Sequence, residues 1–107
     1  MELNQYQVVL VNLDPTMGSE IRKTRPCVII SPVEMNRHLK TVVVAPMTTS
    51  SKQYPTRVKV RLKNKSGWIV IDQIRTIDRG RIVKSLGMLS PREMLKVKDT
   101  IREAFVD

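Results

Sequence analysis

Arg25 leads the residues whose type and setting could do chemistry. It precedes Pro26, whose ring fixes its own φ and holds the preceding residue extended, so the guanidinium leaves the backbone in a set direction. A planar guanidinium grips two phosphate oxygens at once and stays cationic, which suits a phosphate clamp; the alternative is an ordinary surface arginine. Thr48-Thr49-Ser50-Ser51 places four hydroxyls in succession after an apolar run that ends at Pro46. Such a loop either donates to phosphate oxygens or is simply polar, and composition does not choose among the four. Asp72 interrupts the apolar run Trp68-Ile69-Val70-Ile71, so its carboxylate must be hydrogen-bonded, paired with a cation or used in a site. Glu20 is a second candidate proton acceptor in a loop, whereas His38, between Arg37 and Lys40, reads as surface. Cys27 reads as a small buried hydrophobe.

No P-loop or glycine-rich phosphate cradle appears, and one Cys with one His makes no zinc knuckle or finger, so structural zinc is excluded and no cofactor is expected. Nineteen Lys and Arg against ten Asp and Glu give a net charge of +9 on 107 residues, which calls for a polyanionic partner, nucleic acid first. RNA carries its own nucleophile in the ribose 2′-hydroxyl, so a metal-free protein need only align it and stabilise charge on the phosphorane; DNA lacks that group. No apolar run approaches the ~20 residues of a membrane span, and Met1-Glu2-Leu3-Asn4 lacks a signal-peptide pattern. A cytoplasmic protein without membrane contact is expected.

The length suits one domain, residues 1–107, and short β-rich segments must position these groups. Tyr6 to Leu13 reads as a strand ending at the turn Asp14 to Gly18, followed by a polar surface loop, Ser19 to Thr24. Cys27 to Ile30 resumes the sheet. Val33 to Lys40 connects to Thr41–Ala45, a central strand that Pro46 should close. Thr56 to Lys63 alternates Val58, Val60 and Leu62 against Arg57, Lys59, Arg61 and Lys63, one core face and one cationic ladder that could track phosphates. A turn over Asn64 to Gly67 leads into a strand from Trp68 to Ile74, and Ile82 to Leu86 adds another. Ser90-Pro91-Arg92-Glu93 supplies an N-cap, a first-turn proline and a capping-box acid. Met94, Val97, Ile101, Ala104 and Phe105 then form one helical stripe, expected to pack on the sheet. Aromatic residues look too few for a base-stacking platform, which leaves base selectivity to loops. The class is mainly β: a small curled barrel with a C-terminal α-helix.

The succession Asp14-Pro15-Thr16-Met17-Gly18-Ser19-Glu20, Thr24-Arg25-Pro26, Val28-Ile29-Ile30-Ser31-Pro32, Pro46-Met47-Thr48-Thr49, Tyr54-Pro55, Asp72-Gln73-Ile74-Arg75-Thr76-Ile77 and Gly87-Met88-Leu89 resembles the MazF/PemK (Kid) toxins over essentially the whole chain. The resemblance implies an SH3-like barrel of the MazF/CcdB type and a homodimer. It also implies metal-independent endoribonuclease activity on single-stranded RNA, commonly mRNA, leaving 2′,3′-cyclic phosphate and 5′-hydroxyl ends, with a cognate antitoxin whose flexible tail is acidic. Catalysis then maps onto Arg25 and Thr48, with Glu20 and Asp72 as proton acceptors or supports. RNA contacts map onto Ser19, Thr49, Ser50, Ser51, Lys52, Tyr54, Arg57 and Arg75, and no metal is implied. Ser19 stands where the PemK/Kid branch has a histidine and Val70 where it has an arginine, so the Ser-Glu form of the MazF branch fits better. A CcdB-type gyrase poison, which would need a C-terminal tryptophan motif where Ala104 to Asp107 stands, and a plain nucleic-acid-binding barrel are the competing readings.

Overall fold

The computed structural model describes residues 2–107. Seven strands form one curled antiparallel sheet: β1 Gln7–Asn12, β2 Thr24–Ile29, β3 Thr41–Thr48, β4 Arg57–Leu62, β5 Lys65–Val70, β6 Arg75–Asp78 and β7 Ile82–Met88. The path runs β4-β5-β3-β2-β1-β7, with β6 also pairing β3, so the sheet is a half-barrel with edge strands β4, β6 and β7. A short helix, α1 (Val33–His38), links β2 to β3, and α2 (Pro91–Ile101) follows β7.

The central strands read as unbroken apolar runs because both of their faces are covered. Val8, Val28, Ala45, Val58, Val60 and Ile69 bury one face together with Val97 of α2. Their neighbours Val9, Val11, Cys27, Ile29 and Val44 bury the other against Leu3, Leu13 and Ile77. In α1, Asn36 is buried and fully engaged: its Nδ2 donates to the carbonyls of Leu3 and Ser31, both at 2.9 Å, and its Oδ1 accepts from Ser31 Oγ at 2.6 Å. A residue with no marked sequence signature thereby fastens the N-terminal segment to the sheet.

Several boundaries differ from the sequence expectation, each for an identifiable reason. Strand β3 runs through Pro46 to Thr48 instead of closing there. Ile30 N donates to Val43 O, so alternate residues 43, 45 and 47 turn their backbone groups to β2 and Pro46 turns its missing donor to the opposite edge. On that edge β6 ends at Val44↔Arg75 and β5 begins at Met47↔Ile69, so no ladder bond is lost.

The β4–β5 turn is Lys63-Asn64, with φ of 47° and 67°, and not Asn64 to Gly67. Two central residues at positive φ match the twist of a two-residue hairpin. Strand β5 ends at Val70, after which Ile71–Gln73 forms a 3-10 turn, and β6 was not anticipated. β2 begins three residues earlier than Cys27, and β7 extends past Leu86 to Met88.

Helix α2 starts as expected, with the Ser90–Glu93 capping box complete. Its stripe packs through Met94, Val97 and Ile101 only, because residues 102–106 widen into a π turn that changes the angular advance and leaves Ala104 and Phe105 exposed.

Candidate active site

Pro26 shapes the site by withholding a hydrogen bond. The same alternation that frees Pro46 turns Pro26 toward β3, where its backbone nitrogen has nothing to donate, and the β2–β3 pairing stops at Cys27↔Pro46. Beyond that point the strands part around a cleft of about 130 Å³ bordered by Arg25, Pro26, Met47, Thr48, Thr49 and Gly67. Extending the β2–β3 register by two residues sets Arg25 opposite Thr48. Gly67 closes the far wall, where a β-carbon would lie 3.4 Å from the Thr48 carbonyl oxygen.

Arg25 is half-buried, and its one hydrogen bond is from Nε to the Arg22 carbonyl at 3.2 Å. Both terminal nitrogens are without a protein partner among the described residues. The guanidinium is therefore oriented by one nitrogen and open at the two that would fork onto an anion. Thr48 Oγ1 donates to the Ser50 carbonyl at 3.2 Å and accepts from Ser50 N at 3.3 Å, which folds the hydroxyl loop back on itself. These are long bonds, readily exchanged for one to another acceptor.

A second cleft of about 410 Å³ lies on the other side of Pro46 and brings together Ser19, Glu20, Asp72, Gln73 and Arg75. Glu20 is exposed on its rim, with Oε1 accepting from Met17 N at 2.6 Å. Arg75 Nη1 donates to the Leu13 carbonyl at 3.2 Å. Sequence reasoning passed over Gln73, whose amide ties the loop to the 3-10 turn: Oε1 accepts from Ile21 N at 2.8 Å and Nε2 donates to the Ser19 carbonyl at 3.4 Å. Its place in the Asp72-Gln73-Ile74-Arg75 block was the available signal.

The remaining residues of interest sit on the loop that leads to β4. Ser50 and Lys52 are exposed, and Ser51 Oγ accepts from Arg57 Nη1 at 2.8 Å. Arg57 also binds Asp72 and stacks on Tyr54, with Cζ 5.0 Å from the ring centroid. Burial pushes the Asp72 carboxyl up, but hydrogen bonds from Arg57 and Thr56 outweigh it and hold the group below the usual carboxylate range. His38 is exposed at the end of α1, and Cys27 is fully buried, its thiol pushed up to about 12 by burial, with the charge of Arg75 opposing. No helix of the described residues is long and apolar enough to cross a membrane.

A curled half-barrel with net charge +9 that sets a guanidinium and a hydroxyl loop on the border of one cleft defines a small basic β protein. Comparison with known proteins gives the particular kind. The profile described as PemK-like, MazF-like toxin of type II toxin-antitoxin system matches residues 4–105, and the chain belongs to that family. The protein named Endoribonuclease MazF of Staphylococcus epidermidis is 35% identical over 105 residues, covering 92% of this chain and 88% of that protein. Endoribonuclease toxin MazF of Escherichia coli (strain K12) is 34% identical over 95 residues, 88% of this chain and 86% of that protein. Among solved structures, MazF from Deinococcus radiodurans superposes with a TM-score of 0.86 at 24% identity, covering 96% of both chains. An endoribonuclease from a mycobacterial species, in complex with its cognate antitoxin, superposes with a TM-score of 0.80 at 25% identity, covering 94% of this chain and 92% of that one.

Proposed function

We propose that this chain is the endoribonuclease toxin of a toxin–antitoxin pair, cutting single-stranded RNA by attack of a ribose 2′-hydroxyl on the adjacent phosphodiester. The 2′-oxygen gives up its proton and forms a bond to phosphorus while the bond to the 5′-oxygen breaks and that oxygen takes a proton from water, so the ends are a 2′,3′-cyclic phosphate and a 5′-hydroxyl. The observation that carries this reading is that Arg25, with two unpartnered terminal nitrogens, borders the same 130 Å³ cleft as Thr48. Arg25 is placed to fork onto the non-bridging oxygens, whose charge grows in the transition state, and Thr48 adds a hydroxyl donor. A guanidinium is too basic to surrender its proton, so the proton acceptor must be another group. Glu20, exposed and not ion-paired, serves that role better than Asp72, which Arg57 already holds. Substrate and nucleophile arrive together, so the scheme calls for no metal. Family membership at about 35% identity to proteins named as endoribonucleases supports the reaction class. The net charge of +9 suits an antitoxin with an acidic flexible tail, and we assign the protein to the cytoplasm as a homodimer.

The test is incubation of purified protein with RNA in EDTA, followed by mapping of the cut ends. Arg25→Ala and Thr48→Ala should each lower the rate about 10²-fold or more with the fold intact. Cleavage by Arg25→Ala at the unmodified rate removes Arg25 from the mechanism, and transcripts left whole by the wild-type protein overturn the reading.

A further inference from the structure

Two of the four aromatic side chains border one groove, although the sequence had suggested that no stacking platform could be assembled. Trp68 on β5 pairs with Lys59 of β4 on one side and with Thr48 of β3 on the other. Directly paired residues share a face, so Lys59, Trp68 and Thr48 stand in one row across the sheet, leading from the candidate site outward. Lys59 Nζ lies 5.8 Å from the Trp68 ring centroid, near the outer limit of a cation–π contact and easily exchanged for another partner. Trp68 and Tyr54 both line a groove of about 630 Å³ between β4 and α2. Its β4 wall is cationic through Arg57 and Lys59, and its opposite wall sets Lys96 beside Asp99 of α2 and Glu103 of the turn that follows.

We propose that this groove holds a nucleotide flanking the cleaved bond, its base stacked on Trp68 and its phosphate held by Lys59 and Lys96. The inference rests on the endoribonuclease reading and adds a substrate-binding subsite to it. Ring faces accept any base, and alternating cations along a strand suit an extended single-stranded backbone. An acidic peptide would share the contacts with Lys59 and Lys96 but gain nothing from the rings, so the rings favour a base. The register fixes the direction: the groove continues the row that begins at Thr48, so a strand clamped at Arg25 reaches Trp68 without crossing the sheet.

Trp68 is the one tryptophan in the chain, so its emission reports on this stretch of the sheet, and the Trp68 variants below assign the groove. Titration of the full-length protein with a short mixed-sequence 2′-O-methyl RNA, which cannot be cut, should quench that emission to saturation. In cleavage assays Trp68→Ala should raise KM roughly tenfold with kcat little changed, and Trp68→Phe should recover most of the loss by restoring a π-face. Unchanged emission at saturating RNA, or an unchanged KM in Trp68→Ala, overturns the proposal. Quenching by an acidic peptide and not by RNA would give the groove to a peptide, and an emission maximum that shifts with protein concentration would give it to a second copy. The titration needs no turnover. A wild-type protein that fails to cut RNA therefore strikes the endoribonuclease reading, while absent quenching with normal cleavage strikes only the subsite.

Discussion

Asp72 and Arg57 meet through both carboxylate oxygens, with Nε 3.3 Å from Oδ1 and Nη2 3.3 Å from Oδ2, while Thr56 donates to Oδ1 at 2.9 Å. The pair ties the 3-10 turn Ile71–Gln73 to the start of β4 and, through Ser51, to the hydroxyl loop after Thr48. An acid so held is a positioning group and a weak proton acceptor.

Replacing that carboxylate separates the two roles. Asp72→Asn should leave kcat within about threefold at neutral pH and raise KM, since Arg57 and the loop lose their anchor. The folded-state pKa is depressed, so the link contributes fully above the unfolded value near ~3.9 and is lost as pH falls through the folded one. Thermal melts of wild type should therefore fall between about pH 5 and 3 more steeply than those of the variant. A kcat loss of about 10²-fold would identify Asp72 as the general base instead.

Pro26→Ala tests the claim that a missing donor opens the site. Alanine at 26 supplies an N–H toward Met47, so the ladder should advance past Cys27↔Pro46 and narrow the cleft. The expected result is cleavage reduced about tenfold with stability within about 1 kcal/mol, the new hydrogen bond offsetting the added freedom of the unfolded chain. Hydrogen exchange should show a protected amide at position 26; an unprotected amide with full activity would contradict the account.

How far the sequence could be read follows from the same residues. Val8-Val9, Val28-Ile29 and the Thr41 to Ala45 run were legible as central strands because two-sided burial leaves a continuous apolar signature. The start of α2 was legible because Ser90, Pro91 and Glu93 act locally. Pro46 misled because a proline's effect depends on which edge its nitrogen faces, which is a matter of pairing. Arg25 was singled out by its own neighbour, Pro26, but its closeness to Thr48 belongs to the β2–β3 register. The Tyr54 and Trp68 groove was invisible for a like reason: α2, some thirty residues later in the chain, supplies its other wall.

The Lys63-Asn64 turn offers a stability test with opposite signs at neighbouring positions. Lys63 has a φ of 47°, where an L side chain is strained, so Lys63→Gly should stabilise by about 0.5 kcal/mol, or a few degrees in Tm. Asn64 sits at 67° and tolerates it, whereas Asn64→Val should cost about 1–2 kcal/mol because a β-branched residue does not. Leu62 and Lys65, on either side of the turn, line the same cleft as Arg25, so stability is the readout that isolates the turn. Thermal melting that moves both variants the same way would count against the two-residue turn.

Cys27 yields the last prediction, on the alkaline side. The side chain is fully buried, and burial holds its thiol protonated up to about 12. In the unfolded chain the same group ionises near ~8.5. A pKa raised on folding gives stability that is whole below the unfolded value and drains as pH rises toward the folded one, because the unfolded state alone sheds its proton. Urea midpoints of wild type should therefore drop between pH 8 and 10 by more than those of Cys27→Ala, which lacks the titrating group. The fall for this group is about 1.4 kcal/mol per pH unit once the unfolded thiol is ionised. Disulfide-exchange reagents at pH 8 should label Cys27 only as fast as the protein opens, so labelling and unfolding rates should agree. Rapid labelling of the folded protein would mean that β2 is not covered on that face, and the fixed direction of Arg25, two residues away, would lose its support.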